Sequence, residues 1–372
     1  MRRCESTSLE SVLLDPRSSI ARLVYVENRT VTIRDIAKSA GCSHTTVSLA
    51  LRNHYRISEE TRKSIQSLAS RMGYQANPHI QTLLSQVRRG RLQSQRAGLA
   101  LLSKYRKKEQ WRQMPNNKLA IMGAFQRANE LGYNLKEFSL SEEGMNFDRL
   151  RKILIARGIL GILVAPTPDD RLEFEMDISP FAVVCMGQSV RNRQISMVSH
   201  YHAHSMQQIL QELRRRGYKR VGCSLDVGIN ERIENAWSAH YHEYQSQIAE
   251  NQRVPLHLRP TKSQPSNLLE YTAKNKLDVL ITDSDRHLHL LRSTGMRIPD
   301  QLSYVCLSTS PGATTISGIE QNNQLSGIRA VELLVQSINN GVFGSPESPQ
   351  YIYIPGKWVE GNTLFLDASS AV

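Results

Sequence analysis

At 372 residues the chain is too long for one ordinary core, and it suits a small headpiece followed by a two-lobed body of roughly 270 residues. The formal net charge of +13 is unevenly placed: residues 31–96 hold eleven Lys/Arg against three Asp/Glu, the footprint of a segment that neutralises phosphates. The five cysteines are odd in number, far apart and without a Cys-x-x-Cys pair, which argues against a disulfide framework or zinc ribbon and for a reducing cytosol.

No apolar run approaches the eighteen or so residues of a membrane span, and Arg2 and Arg3 lead into no hydrophobic segment. A cytoplasmic protein with no membrane partner is expected. Residues 1–30 mix Ser, Arg and acidic residues without a sustained period, so a flexible arm is expected, unless translation begins near Val31.

Residues 31–53 organise the chain. Ile33, Ile36, Ala37 and Ala40 follow the spacing of a buried helical stripe, and Thr32 with Asp35 forms a capping-box pattern, so a helix starts at about Ile33. Gly41 can take the positive φ that stops it, and Ser43 is a good N-cap for a second helix with Val47, Ala50 and Leu51 inward. Ser43, His44, Thr45, Ser48 and Leu49 are left facing out, where a helix-turn-helix presents groups to base edges in the major groove. Ser58 with Glu59 and Glu60 starts a third helix, whose stripe Ile65, Leu68, Ala69 and Met72 runs to Gly73. The plain alternative is a small helical bundle with no DNA.

Asn77-Pro78 is an N-cap followed by a first-turn proline, and His79 to Val87 reads as a further helix. In the body, strand-like and helix-like segments alternate. Strands are expected at 97–103, 134–140, 159–165, 183–186, 220–225, 254–258, 279–282 and 303–307. Helices are expected from Leu119 to Gly132 and at 148–156, 204–216, 231–249 and 266–275. Such alternation with right-handed crossovers implies parallel sheets covered by helices, here two sheets and two lobes.

The segments Val-Thr-Ile-Arg-Asp-Ile-Ala, Ala-Gly-Cys-Ser-His-Thr-Thr-Val-Ser, Leu-Arg-Asn, Ile-Ser-Glu-Glu-Thr-Arg and Met-Gly-Tyr-Gln-Ala-Asn-Pro resemble the lactose/galactose-repressor (LacI/GalR) family of bacterial transcription regulators. The likeness continues through Gly-Ile-Leu-Gly-Ile-Leu-Val-Ala-Pro at 158–166, Leu-Arg-Arg-Arg-Gly-Tyr-Lys-Arg-Val-Gly at 213–222, Leu-Asp-Val-Leu-Ile-Thr-Asp at 277–283, Arg-Ile-Pro-Asp-Gln-Leu-Ser-Tyr-Val at 297–305 and Pro-Gly-Lys-Trp-Val-Glu-Gly-Asn-Thr at 355–363.

The resemblance implies an all-α helix-turn-helix headpiece and an α/β, two-lobed, periplasmic-binding-protein-like effector domain with parallel sheets. The expected domains are an arm at 1–30, a headpiece at 31–76, a hinge helix and linker at 77–92 and a body at 93–372, with residues 318–345 crossing back to the first lobe. The implied function is a sequence-specific regulator, a repressor by default, acting as a homodimer on double-stranded operator DNA and controlled by a small-molecule effector, possibly a carbohydrate. No cofactor is implied. The expected DNA-contacting residues are Thr32, Ser43, His44, Thr45, Thr46, Ser48, Leu49, Asn53, Tyr74, Asn77, Ile80 and Leu83, with Leu83 at the position of the family's minor-groove wedge. Ile80 replaces the usual small residue, and a linker helix packed on the body is the alternative.

Ligands of open parallel sheets bind at the carboxyl ends of strands, which places Ser103, Lys104, Thr167, Ser199, His200, Tyr201, Asp283, Ser284, Asp285, Ser308 and Thr309 around the cleft. The resemblance adds Arg232 and Trp237, at a spacing slightly different from the family's arginine and aromatic. Sugar-binding members usually carry aspartate where Ser308 stands and Asn-Asp where Ser284-Asp285 stand, so no particular sugar is expected.

His200, His202 and His204 alternate, and on a strand would point one way and could share a metal. The resemblance places them instead at a lobe crossing and helix start, where alternate residues diverge, and no metal is expected. Gly-x-Ser-x-Gly, phosphate-cradling loops and His-Glu-x-x-His are missing from the sequence, so an enzyme is not expected. An enzyme or a metal-sensing regulator carrying the same headpiece is the alternative.

Overall fold

The structure, a computed structural model, describes residues 31–51, 57–74, 97–105, 107, 109–167, 172–191, 194–260 and 265–365. The arm, Asn53, Asn77, Ile80, Leu83 and the expected hinge helix lie outside the described residues. The described residues form two compact units, divided between residues 93 and 94.

In the first unit, α1 (Ile33–Ala40), α2 (His44–Ala50) and α3 (Glu59–Arg71) follow one another. Their starts obey side-chain capping. Thr32 Oγ1 accepts from Asp35 N while the Asp35 carboxylate accepts from Thr32 N at 2.9 Å, and Ser43 and Ser58 cap α2 and α3 through Thr46 N and Thr61 N. Each cap satisfies a backbone donor that the first turn would leave without a partner. Gly41, at φ 62°, ends α1 in the left-handed conformation and sends its N–H back to Ala37 O. Ile36, Ala37, Val47, Ala50, Ile65 and Ala69 form the shared core.

The second unit contains two sheets of six strands. The first has strand order β11-β5-β4-β3-β1-β2, drawn from β1 (Ala97–Ser103), β2 (Tyr133–Ser139), β3 (Gly161–Val164), β4 (Ala182–Met186), β5 (Ser196–His200) and β11 (Tyr351–Ile354), all paired parallel. The second has order β12-β10-β9-β8-β6-β7, with β6 (Val221–Asp226), β7 (His257–Arg259), β8 (Val279–Thr282), β9 (Ser303–Cys306), β10 (Gly318–Glu320) and β12 (Lys357–Val359); only β10 and β12 pair antiparallel.

Every residue of β3, β4, β6, β8 and β9 is buried, as expected of strands covered on both faces. On the first sheet, α4 (Pro115–Glu130) and α11 (Asn323–Asn339) cover one face, and α5 (Phe147–Ala156) with the segment around Phe174 covers the other. On the second, α6 (His202–Arg215) and α8 (Ala236–Ser246) lie opposite α9 (Pro265–Asn275) and α10 (Arg286–Ser293). The chain passes between the lobes three times, at Tyr201, at Gln321-Asn322 and at Pro355-Gly356.

Several expected elements differ. The helix expected at 231–249 is two helices, α7 (Val227–Arg232) and α8. Glu234 and Asn235 break it with φ of 56° and 60°, and buried Asn230 locks the break by donating to Asn235 Oδ1 at 2.8 Å and Ser238 Oγ at 2.9 Å. The strand expected at 254–258 shifts to 257–259, beyond Pro255, which has no N–H to offer a ladder. Segment 318–345 does not cross as one piece: Gly318–Glu320 stays in the second sheet and the crossing follows it. Strands β5, β10, β11 and β12 and helices α10 and α11 are not among the expected elements; the strands, at three to five residues, carry too few alternations to separate from loops.

Candidate DNA interface and effector cleft

At the start of α2, Ser43, His44 and Thr45 are exposed, while Thr46, Ser48 and Leu49 are half-buried. Val47 and Ala50 are fully buried against α1 and α3, which turns the 44–45–48–49 face outward. Thr46 is partly engaged in the cap, its hydroxyl 2.9 Å from Ser43 Oγ. Thr32 is exposed and takes part in its own capping box, and Tyr74 packs partly against the headpiece core. Short polar side chains on an exposed helix start can accept from and donate to base edges and phosphates.

In the body, the carboxyl ends of parallel strands bring many of the expected cleft residues together, and hydrogen bonds between described residues join the lobes there. Arg232 Nη1 donates to Thr167 O at 2.6 Å, and Asn116 Nδ2 donates to Ser308 Oγ at 3.1 Å. Thr167 is buried; its N–H donates to Ser189 Oγ at 3.3 Å, and its hydroxyl has no hydrogen-bond partner among the described residues. Ser103, buried at the end of β1, donates to Glu137 Oε1 at 2.9 Å, and Trp111 Nε1 lies 3.2 Å from both Glu137 oxygens. Lys104 is exposed.

Asp283 is occupied within its own lobe. One oxygen is paired with the buried Arg259 guanidinium, and the other accepts from Asp226 N at 2.6 Å. A buried carboxylate held in this way organises the ends of β6, β7 and β8 rather than standing free. Asp285 accepts from Ser310 N at 2.8 Å. Glu137, Trp111, Asn116, Arg259 and Asp226 were absent from the residues expected from sequence. The carboxyl-end rule points to strand ends, and it gave no reason to favour mid-strand Glu137 or the helix-borne Asn116.

Trp237 is buried in the second lobe's core rather than lining an open face, its indole N–H without a hydrogen-bond partner among the described residues. Its ring meets the His202 ring edge to face at 5.1 Å, and His202 meets His200 at 5.0 Å. His200 ends β5 and His202 begins α6, so the alternation expected on a strand is broken by the lobe crossing. Burial pushes the His200 imidazole down to about 4 and that of His202 well below its ordinary value, leaving both neutral at neutral pH. His200 Nε2 is 2.7 Å from Ser205 Oγ. Tyr201 is exposed, its ring 5.5 Å from those of His204 and Tyr353. Among the described residues no group of three or more His, Cys, Asp or Glu is arranged to hold a metal ion, and no helix is long and apolar enough to cross a membrane.

Residues 32–77 match the family model described as bacterial regulatory proteins, lacI family. A stretch of 56 residues is 50% identical to the probable HTH-type transcriptional repressor ExuR of Bacillus subtilis, covering 15% of this chain and 17% of that protein. The curated relatives are thus matched in sequence over about a sixth of their length. The body is recognised by fold. A transcriptional regulator CelR–cellobiose complex superposes with TM-score 0.53 at 18% identity, covering 90% of this chain and 100% of that one. The Lac repressor dimer bound to operator and the anti-inducer ONPF gives 0.52 at 16% identity, covering 90% and 99%. The likeness in sequence to the lacI family thus spans residues 32–77, and the two-sheet body shares its fold with these solved regulators.

Proposed function

We propose that the protein is a cytoplasmic, homodimeric regulator that binds double-stranded operator DNA through its headpiece, acting as a repressor whose operator affinity is set by a small molecule held between the body's lobes. The observation that carries this reading is the capped helix pair around Gly41, with Ser43, His44 and Thr45 exposed at the start of α2. That arrangement suits insertion of a helix N-terminus into the major groove. The basic excess of residues 31–96 supplies the sequence-independent attraction to phosphates.

Leu83 serves as a minor-groove wedge between two protomers, and the effector cleft comprises Ser103, Thr167, Arg232, Asp285, Ser308 and the polar residues beside them. A carbohydrate is the favoured class of effector, since the superposed CelR structure holds cellobiose and this cleft is rich in hydroxyl, amide and carboxylate groups. Neither a cofactor nor catalysis is part of the reading. Effector control requires different affinities for two body conformations.

Selection of binding sites by the full chain from random double-stranded DNA tests the proposal. A palindromic consensus bound with a steep loss of affinity as salt rises supports it. Recovery of no enriched sequence, or binding indifferent to salt, overturns it. Thermal stabilisation by pooled sugars, sugar acids and purines tests the effector through linkage.

A further inference from the structure

The three lobe crossings meet at one buried imidazole. His200, the last residue of β5, stands beside the first crossing, at Tyr201. Its ring lies against the backbone of Gln321 in the second crossing and of Ile354 at the third, and its Nε2 is 2.7 Å from Ser205 Oγ of α6. The crossings are also tied directly, since Tyr201 N donates to Ile354 O at 2.9 Å and Asn322 Nδ2 donates to Pro355 O at 2.8 Å. Gly356 passes so near that a Cβ there would come to 3.0 Å from His200 Cε1 and collide with Ile319. From this point a row of rings enters the second lobe. His202 meets His200 edge to face at 5.0 Å, and meets Trp237 of that lobe's core in the same way at 5.1 Å.

Neither imidazole has surroundings that would accept a proton's charge. The Nδ1 atoms of His200 and His202 are buried and have no hydrogen-bond partner among the described residues. The titratable groups that act on the two rings are each other and His204, so each neighbouring charge would repel. Glu320 at the end of β10, Glu234 before α8, and Tyr201 and Tyr353 act on neither ring. We propose that His200 and His202 form an acid-sensitive pin of the interlobe hinge: neutral, they hold the three crossings together, and proton uptake drives them out of the ring row and frees the lobes to move. A buried charge without a counter-ion is costly, whereas an imidazole released to water titrates near 6.5. The pin is therefore secure above about pH 6.5. Below it, acid progressively favours the released state, down to about 4, where His200 protonates in place. At pH 5.5 linkage gives about a tenfold shift for each imidazole. The inference rests on the regulator reading in one respect, that a freed hinge would let acidity alter operator affinity through the body.

Hydrogen–deuterium exchange on the full chain at pH 7.5 and 5.5, without DNA or added ligand, tests the pin. Each rate is divided by the intrinsic chemical rate at its pH, so that protection is compared. Protection of peptides spanning 199–206, 320–326 and 352–358 should fall about tenfold or more at pH 5.5, while β1, β3 and β8 keep theirs. In the double variant His200→Gln/His202→Phe, which cannot titrate at these positions, the fall should vanish. Unchanged wild-type protection at pH 5.5 overturns the proposal. So does a fall shared equally by β1, β3 and β8, which is general acid unfolding, and so does a fall that persists in the double variant. Should the double variant fold poorly, His202→Phe alone decides, because it keeps a ring against His200 and Trp237: the fall should shrink several-fold, and an undiminished fall rejects the pin. Failure of the regulator reading would appear instead as wild-type protein that selects no operator, a result independent of these protection values.

Discussion

Gly327 of α11 lies so close to Ala120 of α4 that any side chain at 327 would collide with the Ala120 backbone oxygen, and Gly123 stands in the same relation to Gln324 O. The two helices cover one face of the first sheet with their backbones nearly in contact. Gly327→Ala should therefore destabilise the body by about 1–3 kcal/mol through overpacking, outweighing the gain of about 1 kcal/mol that alanine brings to a helix interior. A urea titration followed by far-ultraviolet circular dichroism would show the midpoint fall; an unchanged or raised midpoint would show that the helices separate freely.

The second lobe closes on Arg216, a buried guanidinium that reaches Glu212 at 2.7 Å, Glu360 at 2.6 Å and Phe365 O at 3.0 Å, with Trp358 beside it. Arg216→Met keeps much of the volume and removes the donors. Because Glu360 is half exposed and can be rehydrated, the expected loss is about 2 kcal/mol, below the 3–5 kcal/mol of a fully buried pair. Limited proteolysis should also cut the C-terminal segment sooner than in the wild-type protein.

Hydrogen bonds from Arg215 and Arg216 hold the Glu212 carboxyl down at about 2, below its ordinary 4.5. A carboxylate whose folded pKa is lowered adds stability that is fully present above about 4.5 and is lost as pH falls through 2. Measured at successive pH values, the urea midpoint of Glu212→Gln should lie below wild type at pH 6, and the gap should close between pH 4.5 and 2. A gap constant with pH would mean that packing, not ionisation, is what Glu212 provides.

On DNA, Leu49 is half-buried on the outward side of α2, so apolar contact with a thymine methyl is expected there. Leu49→Arg adds a bidentate guanine donor and should change the preferred base at one symmetric pair of operator positions, with about 1–3 kcal/mol of discrimination per contact. Sites selected by the variant from random DNA would show the change, and an unaltered consensus would place Leu49 away from the bases.

Leu83→Ala, by contrast, should weaken binding and reduce the bend at the centre of the palindrome without altering the outer half-sites. Gel mobility of circularly permuted fragments reads the bend. Unchanged affinity and bend would favour a linker helix over a wedge.

The headpiece was legible in the sequence because its determinants are local: Thr32 and Asp35, Ser43 and Thr46, and Ser58 and Thr61 are each three residues apart, and Gly41 stops a helix wherever that helix lies. The alternation of strands and helices was legible too, since two-faced burial leaves continuous apolar runs such as Val279 to Ile281. What only the tertiary structure decided are the meetings of distant residues. Arg232 reaches Thr167 across 65 positions and Arg216 reaches Glu360 across 144, while the kink at Glu234-Asn235 depends on a buried Asn230. The stop at Glu320 before the chain returns to the first lobe depends on a strand of three residues. Local propensity cannot assign such features, because their free energy comes from which strand ends and helix faces are brought together, and that is set by the packing of the whole body.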